Sequence, residues 1–334
     1  MKIILSRKGF DASYGGFPSP VFENGKMISL PIPTIDKQEA SITYDDLNPL
    51  GVNLGSLFKK LGKEPKIYNK VAKYVHLDPD LYQDSLKPNN KFRARLDGWR
   101  GLFGTNMAAA GKLNDKDTGV NPGDIFLFFG WFNNVINKQG KFAFEPNSDG
   151  FHQIWGWLQI DRIIHLDQDK DLKSVPNWAK YHPHCFHPEW KPNVLFVAKQ
   201  KLSLEGYNTD GINGYGVITQ FNELATLTEM NLQKNNYYYN KFQRQIGKPP
   251  SPNEDIKKSL WRLPLWFYHD DITKRLGYHN KDNKNTKARW NKDENYSYLR
   301  STSPGQEFIL DLQHYPECAK QWVLDIIKCG SKCS

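Results

Sequence analysis

The sequence carries none of the short motifs that identify the common nucleotide-dependent or hydrolytic enzymes. Its 334 residues contain no Walker A loop, no GxGxxG loop after a strand, no HExxH or GxSxG element and no CxxC pair. These absences exclude the usual NTPase, dehydrogenase, zincin and serine-hydrolase classes. Since no cofactor-binding motif remains, we expect an activity that needs no cofactor.

Cysteine and long apolar runs are also scarce. Four cysteines in a chain of this length do not form a disulfide framework, so we expect reduced thiols. The longest apolar run, IFLFFGWF at 125–132, is far shorter than the roughly 20 residues that a membrane helix needs. The opening MKIIL stretch is followed at once by polar residues and does not resemble a secretory signal. We therefore expect a cytoplasmic protein that does not associate with membranes.

Basic residues outnumber acidic ones, and the formal net charge is +9. A surplus of cations favours a polyanionic partner, because Lys and Arg neutralise phosphates and release counterions. The densest basic segment is 273–300, in which Lys and Arg are mixed with Tyr, Trp and His. This composition predicts either a solvated loop or a surface that binds phosphates and stacks bases. The charge balance therefore favours a polyanionic partner.

Strand-like segments dominate the middle of the chain. They are rich in β-branched and aromatic residues and are separated by polar turns, at 121–135, 150–164 and 193–204. Apolar residues at helical spacing from Ala319 to Ile327 predict a closing helix. We predict an α+β fold with a mixed sheet core, C-terminal helices and a curled β-barrel middle section at 115–205 that resembles PUA and EVE domains. Residues 1–334 are expected to form a single compact domain.

The opening stretch RKGFDASYGGFPSP follows the short apolar strand MKIIL. Arg7, Lys8 and Asp11 therefore emerge at a strand end, where a scaffold holds side chains in fixed positions. One interpretation is a pocket wall, with two cations for a phosphate and one carboxylate for acid–base or electrostatic work. The other is a loop in which Asp11 caps a turn and both cations face water.

The segment VHLDPDL contains His76, Asp78 and Asp80 at alternate positions. In an extended chain these side chains share one face, where they could bind a divalent metal or hold one activated water. The alternative is a turn around Pro79 in which Asp78 caps backbone amides. Because metal sites usually need further ligands and no later carboxylate pair supplies them, we expect no metal here.

A second histidine-rich segment is HPHCFHPEW, which contains Cys185 and His187 beside His182 and His184. The spacing is too tight for all four side chains to bind one zinc ion without a strained loop. We expect one or two of the histidines to donate hydrogen bonds while the others are exposed, and we predict that His182 and His184 contact the substrate.

Aromatic residues elsewhere are candidates for a base-binding pocket. In GFHQIWGWLQ, alternation puts Trp155 and Trp157 on one face of a strand and His152 on the other. Such aromatics are either core residues or, as predicted here for His152 and Trp157, part of a pocket that stacks a base. A further nucleotide-binding face is predicted from Arg262, Trp266, His269, Tyr278 and His279.

Several motifs together resemble one known family. They are LSRKGFDASYGGFPSP with SLPIP, HLDPDL, GDIFLFFGWF, HQIWGWLQI, the HPH turn, SLWRLPLWF and GQEFILD. The combination is similar to the third family of nucleotide-modification-associated domains, found near enzymes that make or handle hypermodified DNA bases, often in bacteriophage and mobile-element neighbourhoods. The similarity extends over almost the whole chain and implies a context rather than a reaction. By that resemblance the site candidates in the loops are Arg7, Lys8, Asp11, Ser13, His76, Asp78 and Asp80.

The leading hypothesis is a DNA N-glycosylase that excises a modified base. Such an enzyme needs a carboxylate to stabilise oxocarbenium-like charge or activate water, and an aromatic pocket for a flipped base. The alternatives are a non-catalytic reader of a modified base and a metal-dependent nuclease that uses HLDPDL as ligands. For the glycosylase, the predicted roles are Asp11 or Asp78 as the carboxylate, Asp80 or His76 as its partner, and Arg7 and Lys8 as phosphate contacts.

Overall fold

The structure is a computed structural model that describes residues 1–36, 42–86, 97–146, 148–169, 172–230, 258–302 and 307–331. The α-helices in these ranges are α1 (Leu54–Leu61), α2 (Met107–Leu113), α3 (Lys284–Lys287) and α4 (Cys318–Ser331). None of these helices is long and apolar enough to span a membrane. The strands are β1 (Lys2–Arg7), β2 (Tyr14–Gly15), β3 (Ser19–Val21), β4 (Pro33–Thr34), β5 (Lys66–Ile67), β6 (Lys70–Val71), β7 (Tyr74–Val75), β8 (Leu102–Asn106), β9 (Ile125–Lys138), β10 (Lys141–Phe144), β11 (Phe151–His165), β12 (Asn193–Ala198), β13 (Tyr215–Val217), β14 (Leu260–Pro264), β15 (Trp290–Lys292), β16 (Tyr296–Arg300) and β17 (Glu307–Asp311).

Nine of these strands form one mixed sheet. Its hydrogen-bonded path runs β17-β1-β9-β11-β12-β8, with β3 and β10 paired to β9 and β13 paired to β11. β1 and β3 run parallel to β9, whereas the other pairs in this sheet are antiparallel. The predicted α+β class with a mixed sheet is confirmed.

The middle section of the chain is part of this large sheet. β9, β11 and β12 are adjacent strands, flanked by β1 on one side and β8 on the other. Within the described residues the strand path ends at β17 and β8 and does not close. The PUA-like barrel predicted for 115–205 is therefore not confirmed, because pairing with strands from both ends of the chain extends the sheet beyond the middle section.

The apolar run in β9 is buried on both faces of the sheet. Side chains alternate along a strand, so Leu127 and Phe129 pack into one hydrophobic core and Phe126 and Phe128 into a second. α4 covers the first core with an apolar stripe at helical spacing. The apolar positions predicted for this closing helix are all buried, namely Ala319, Trp322, Val323, Ile326 and Ile327.

A β-bulge in β11 changes the direction of two tryptophans. The pairing with β9 shifts between Ile154 and Gly156, so Trp155 is an extra residue in the strand. Trp155 consequently packs in the core that contains Phe128, whereas Trp157 packs in the opposite core. The prediction that Trp155 and Trp157 share one face is wrong, because alternation holds only where the register is continuous.

Candidate functional site

The first strand ends in two cations that enter different pockets. The backbone N–H of Lys8 donates to the Phe129 carbonyl at 2.8 Å, which continues the pairing with β9. Alternation then puts Arg7 in a pocket with His152 and Lys8 in a cleft with Asp78. The two cations therefore do not form one pocket wall.

Asp11 organises the turn that follows this strand. Its Oδ1 accepts hydrogen bonds from the backbone N–H groups of Ser13 at 2.7 Å and Tyr14 at 2.8 Å. Its Oδ2 lies 3.3 Å from Nη2 of Arg7. Asp11 thus makes the turn-capping contacts of the second interpretation, and the exposed Ser13 contributes its backbone amide to them.

The cleft beside Lys8, which we call the Asp78 cleft, has a cavity volume of about 420 Å³. This volume is sufficient for a nucleotide-sized ligand. Its walls come from the residue after β1, the start of β17, the end of β8, the first turn of α2 and two histidine-containing segments. The lining includes Lys8, His76, Asp78, His184, Tyr278 and Glu307.

Asp78 is the centre of a histidine cluster in this cleft. The backbone N–H of Gly104 in β8 donates to Asp78 Oδ1 at 2.6 Å, and Nε2 of His182 lies 3.3 Å from the same oxygen. The Nε2 atoms of His76 and His184 lie 3.9 and 3.8 Å from Asp78 Oδ2. His76 is partly exposed, whereas Asp78, His182 and His184 are buried.

The cluster determines the charge of its members. Burial opposes ionisation of Asp78, but the contacts with His182, His184 and His76 together hold the pKa of Asp78 well below its usual range. Burial lowers the pKa of His184 to about 3, against the attraction of Asp78. At neutral pH Asp78 is therefore an anion and His184 is neutral.

Asp80 belongs to a different network. Its Oδ2 accepts a hydrogen bond of 2.6 Å from the Tyr181 hydroxyl, which itself accepts one of 2.7 Å from the Trp99 indole. The backbone of Asp80 pairs with Leu102 in β8. The HLDPDL segment predicts that His76, Asp78 and Asp80 share one face. Among the described residues, the group that could hold a metal ion consists instead of His76, Asp78 and His184.

The HPHCFHPEW segment directs its side chains to different places, and its three histidines are all buried, so the expectation that some of them are exposed is wrong. The short 3-10 helix Pro183–Phe186 directs His184 toward Asp78. Cys185 Sγ faces the carbonyl of Ala179, and His187 Nδ1 lies 2.8 Å from Glu189 Oε1. The four potential zinc ligands therefore do not converge on one point.

The cleft also contains a buried ion pair. Lys8 Nζ lies 3.3 Å from Glu307 Oε1 and 4.7 Å from the centre of the Phe103 ring. Glu307 is fully buried, and its Oε2 has no hydrogen-bond partner among the described residues. An unpartnered buried carboxylate oxygen is costly and is therefore typical of a functional position.

Glu307 and Lys112 were not predicted as site residues. Lys112 Nζ donates to the Glu307 carbonyl at 2.9 Å and lies 3.5 Å from the centre of the Tyr278 ring. Burial lowers the pKa of Lys112 to about 8, against the attraction of Glu307. One sequence feature could have identified Glu307. It is the acidic residue that begins the apolar strand EFILD, inside the GQEFILD motif of the family resemblance.

His152 and Trp157 make structural contacts. Nδ1 of His152 accepts a hydrogen bond of 2.9 Å from the Trp261 indole, and burial, with the nearby Arg7 charge, lowers the pKa of His152 to about 3. The Trp157 indole donates to the Asn213 carbonyl at 3.1 Å inside the first core. Neither residue lines the Asp78 cleft.

The predicted face from the C-terminal third is also dispersed. Arg262 Nε pairs with Glu229 at 3.2 Å, and Trp266 packs at the edge of the first core. His279 is buried and accepts a hydrogen bond of 3.0 Å from the Thr302 backbone. In this set only Tyr278 lines the Asp78 cleft, with 44% of its surface exposed.

Comparison with known proteins adds one match. The model of a protein family described as nucleotide modification associated domain 3 matches residues 2–311. The match extends from the first strand to the end of β17 and so includes every residue that lines the Asp78 cleft. No curated protein and no solved structure matches the chain.

Proposed function

The chain belongs to the family of nucleotide modification associated domain 3, and we propose that it removes a modified base from DNA as an N-glycosylase. Membership of the family ties the chain to nucleotide modification. One observation carries the proposed reaction: two buried carboxyl groups, Asp78 and Glu307, line the same cleft. A pair of carboxyl groups flanking the scissile bond is the usual machinery of glycoside hydrolysis.

The surroundings of the two carboxyl groups support different roles. Ionised Asp78 stabilises positive charge on the sugar and orients the attacking water. Glu307, which is paired with Lys8, accepts a proton from the attacking water through Oε2, the oxygen without a partner among the described residues. The water oxygen bonds to C1′, the C1′–N bond breaks with its electron pair on nitrogen, and the proton that Glu307 takes from the water passes through solvent to the leaving base.

Cations and an exposed ring beside the carboxyl groups suit a flipped nucleotide. Tyr278 offers a stacking surface for a base at the edge of the cleft. The ammonium groups of Lys8 and Lys112 suit a phosphate. The net charge of +9 favours approach of the DNA backbone.

The histidines beside Asp78 favour a second candidate, a metal-dependent nuclease. His76, Asp78 and His184 offer three ligand atoms within 4.8 Å of one another. A metal-activated water that attacks a phosphodiester yields strand breaks, whereas a glycosylase yields free base and abasic sites. The products therefore distinguish the two candidates.

The test incubates the full chain with DNA that carries hypermodified bases, with plain DNA and with the free modified nucleotide. Mass spectrometry measures released base, and gel electrophoresis separates abasic sites from strand breaks. We expect base release from modified DNA only, and a loss of at least about 100-fold in Asp78→Asn and in Glu307→Gln. Asp11→Asn is the matched control, because asparagine still accepts the hydrogen bonds of the turn.

Three results contradict the proposal. Strand breaks without free base support the nuclease. Tight binding of modified DNA without either product identifies a reader of modified bases. Loss of base release in Asp11→Asn, with Asp78→Asn unaffected, moves the reaction to the pocket that contains Arg7.

A further inference from the structure

Three potential ligand atoms in the Asp78 cleft lie within 4.8 Å of one another. The Nε2 atoms of His76 and His184 lie 3.9 and 3.8 Å from Asp78 Oδ2. Tetrahedral ligands at about 2.0 Å from an ion are separated by about 3.3 Å, so small side-chain rotations are sufficient for all three to bind. We propose that His76, Asp78 and His184 bind one divalent transition-metal ion of the zinc type.

The hydrogen bonds of Asn193 determine which nitrogen of His184 is available. Its Nδ2 donates to the carbonyls of His184 at 3.0 Å and His187 at 2.9 Å, so its Oδ1 acts as the acceptor for His184 Nδ1 at 2.8 Å. In a neutral ring the Nε2 lone pair of His184 is then free on the side of Asp78. A lone pair and a carboxylate oxygen repel each other, and a cation between them removes this repulsion.

The other contacts of Asp78 suit a metal ligand. Gly104 donates its backbone N–H to Oδ1 at 2.6 Å, and the fully buried His182 lies 3.3 Å from the same oxygen. These contacts occupy Oδ1 and leave Oδ2 for an ion. Partners of this kind orient metal ligands, and their removal commonly lowers metal affinity about 10–100-fold.

The ligand set indicates the class of ion and its use. Two imidazoles with one carboxylate suit Zn²⁺ or Fe²⁺ better than Mg²⁺ or Ca²⁺, which prefer oxygen ligands. Three protein ligands leave a position open toward the cleft, as in catalytic metal sites. Resting on the proposed function, the ion lowers the pKa of a water at that position and so supplies the hydroxide for base removal.

This site departs from the expectation of no metal. That expectation depended on the absence of further ligands near HLDPDL, and the missing ligand is His184, from a distant segment. Lys8 and Glu307 line the same cleft, so a substrate that fills the cleft reaches both the ion and this pair.

The test titrates Zn²⁺ into the chelator-treated full chain by calorimetry, with Mg²⁺ in a parallel titration. We expect one Zn²⁺ per chain, much weaker Mg²⁺ binding, and at least about tenfold lower Zn²⁺ affinity in His76→Ala and His184→Gln. His314→Ala, at an exposed histidine, is the matched control. Because His76 is only partly buried, its variant keeps the core intact, and the rise in melting temperature with Zn²⁺ is a second readout.

Unchanged Zn²⁺ affinity in folded His76→Ala overturns the metal site, and so does Mg²⁺ binding that is tighter than Zn²⁺ binding. The base-release assay separates this inference from the proposed function. Full-rate base release by metal-free protein removes the metal from the reaction and leaves the glycosylase standing. Zn²⁺ binding that depends on His76, without any base release, leaves the metal site standing and removes the glycosylase.

Discussion

His182 Nε2 lies 3.3 Å from Asp78 Oδ1, and the two side chains have 0% and 4% of their surfaces exposed. A carboxylate buried to this degree is costly unless charge and hydrogen-bonding partners compensate it. The partners of Oδ1 are His182 and the backbone N–H of Gly104. His182 therefore stabilises the folded chain and positions Asp78.

We expect His182→Ala to lower the free energy of unfolding by about 3 kcal/mol, because it leaves a buried anion with one partner fewer. Urea denaturation monitored by tryptophan fluorescence measures the change. The exposed control, His314→Ala, should stay within about 0.5 kcal/mol of the natural chain. Equal effects of the two substitutions contradict the structural role of His182.

Acid stability should depend on His152, whose pKa falls from 6.5 to about 3 on burial. Between these values the unfolded chain binds one more proton at this residue, so stability falls as the pH falls. The part of the unfolding free energy that depends on this proton is fully present above the unfolded pKa of 6.5. Below that pH it is lost at about 1.4 kcal/mol per pH unit. His152→Gln keeps an acceptor for the Trp261 indole and should show a shallower fall in unfolding free energy between about pH 6 and pH 4. Parallel curves for the two proteins contradict the buried, neutral state of His152.

Trp157 and Tyr278 should respond in opposite ways to substitution. Trp157→Leu removes a buried ring and should lower the unfolding free energy by about 3 kcal/mol, while the folded fraction still binds DNA normally. Tyr278→Asn removes the exposed ring at the cleft and should weaken DNA binding by about 1–3 kcal/mol with little effect on stability. Asparagine is chosen because Tyr278 has a φ of 67°, which asparagine tolerates. Fluorescence anisotropy and urea denaturation measure the two properties, and weaker binding by folded Trp157→Leu contradicts its assignment to the core.

Gly104 should tolerate no side chain, because a methyl group there collides with the ring of His184. Gly104→Ala should therefore displace His184 from Asp78 and abolish both Zn²⁺ binding and base release. Gly111, in α2, has open space around the same position, and Gly111→Ala should stabilise the helix by about 0.5–1 kcal/mol. Calorimetry with Zn²⁺ compares the two variants. Normal Zn²⁺ affinity in Gly104→Ala contradicts the role of His184 as a ligand.

Local patterns in the sequence by themselves determined the main strands, the closing helix, the family and part of the candidate site. The apolar run 125–132 predicts a strand, and it lies in β9 with both faces buried. His76 and Asp78 are two residues apart, so their common direction follows from the geometry of an extended chain. Each of these features depends on residues that are close together in the sequence.

Pairing between distant strands decided the rest. His184 approaches Asp78 because β12 pairs with β8, and Glu307 approaches Lys8 because β17 pairs with β1. The bulge at Trp155, which separates the two tryptophans, depends on the register with β9. These registers are set by hydrogen bonds and packing between segments, which the composition of a single segment does not contain. Only the tertiary structure therefore assembled the cleft in which two carboxyl groups, a lysine and the histidine cluster meet.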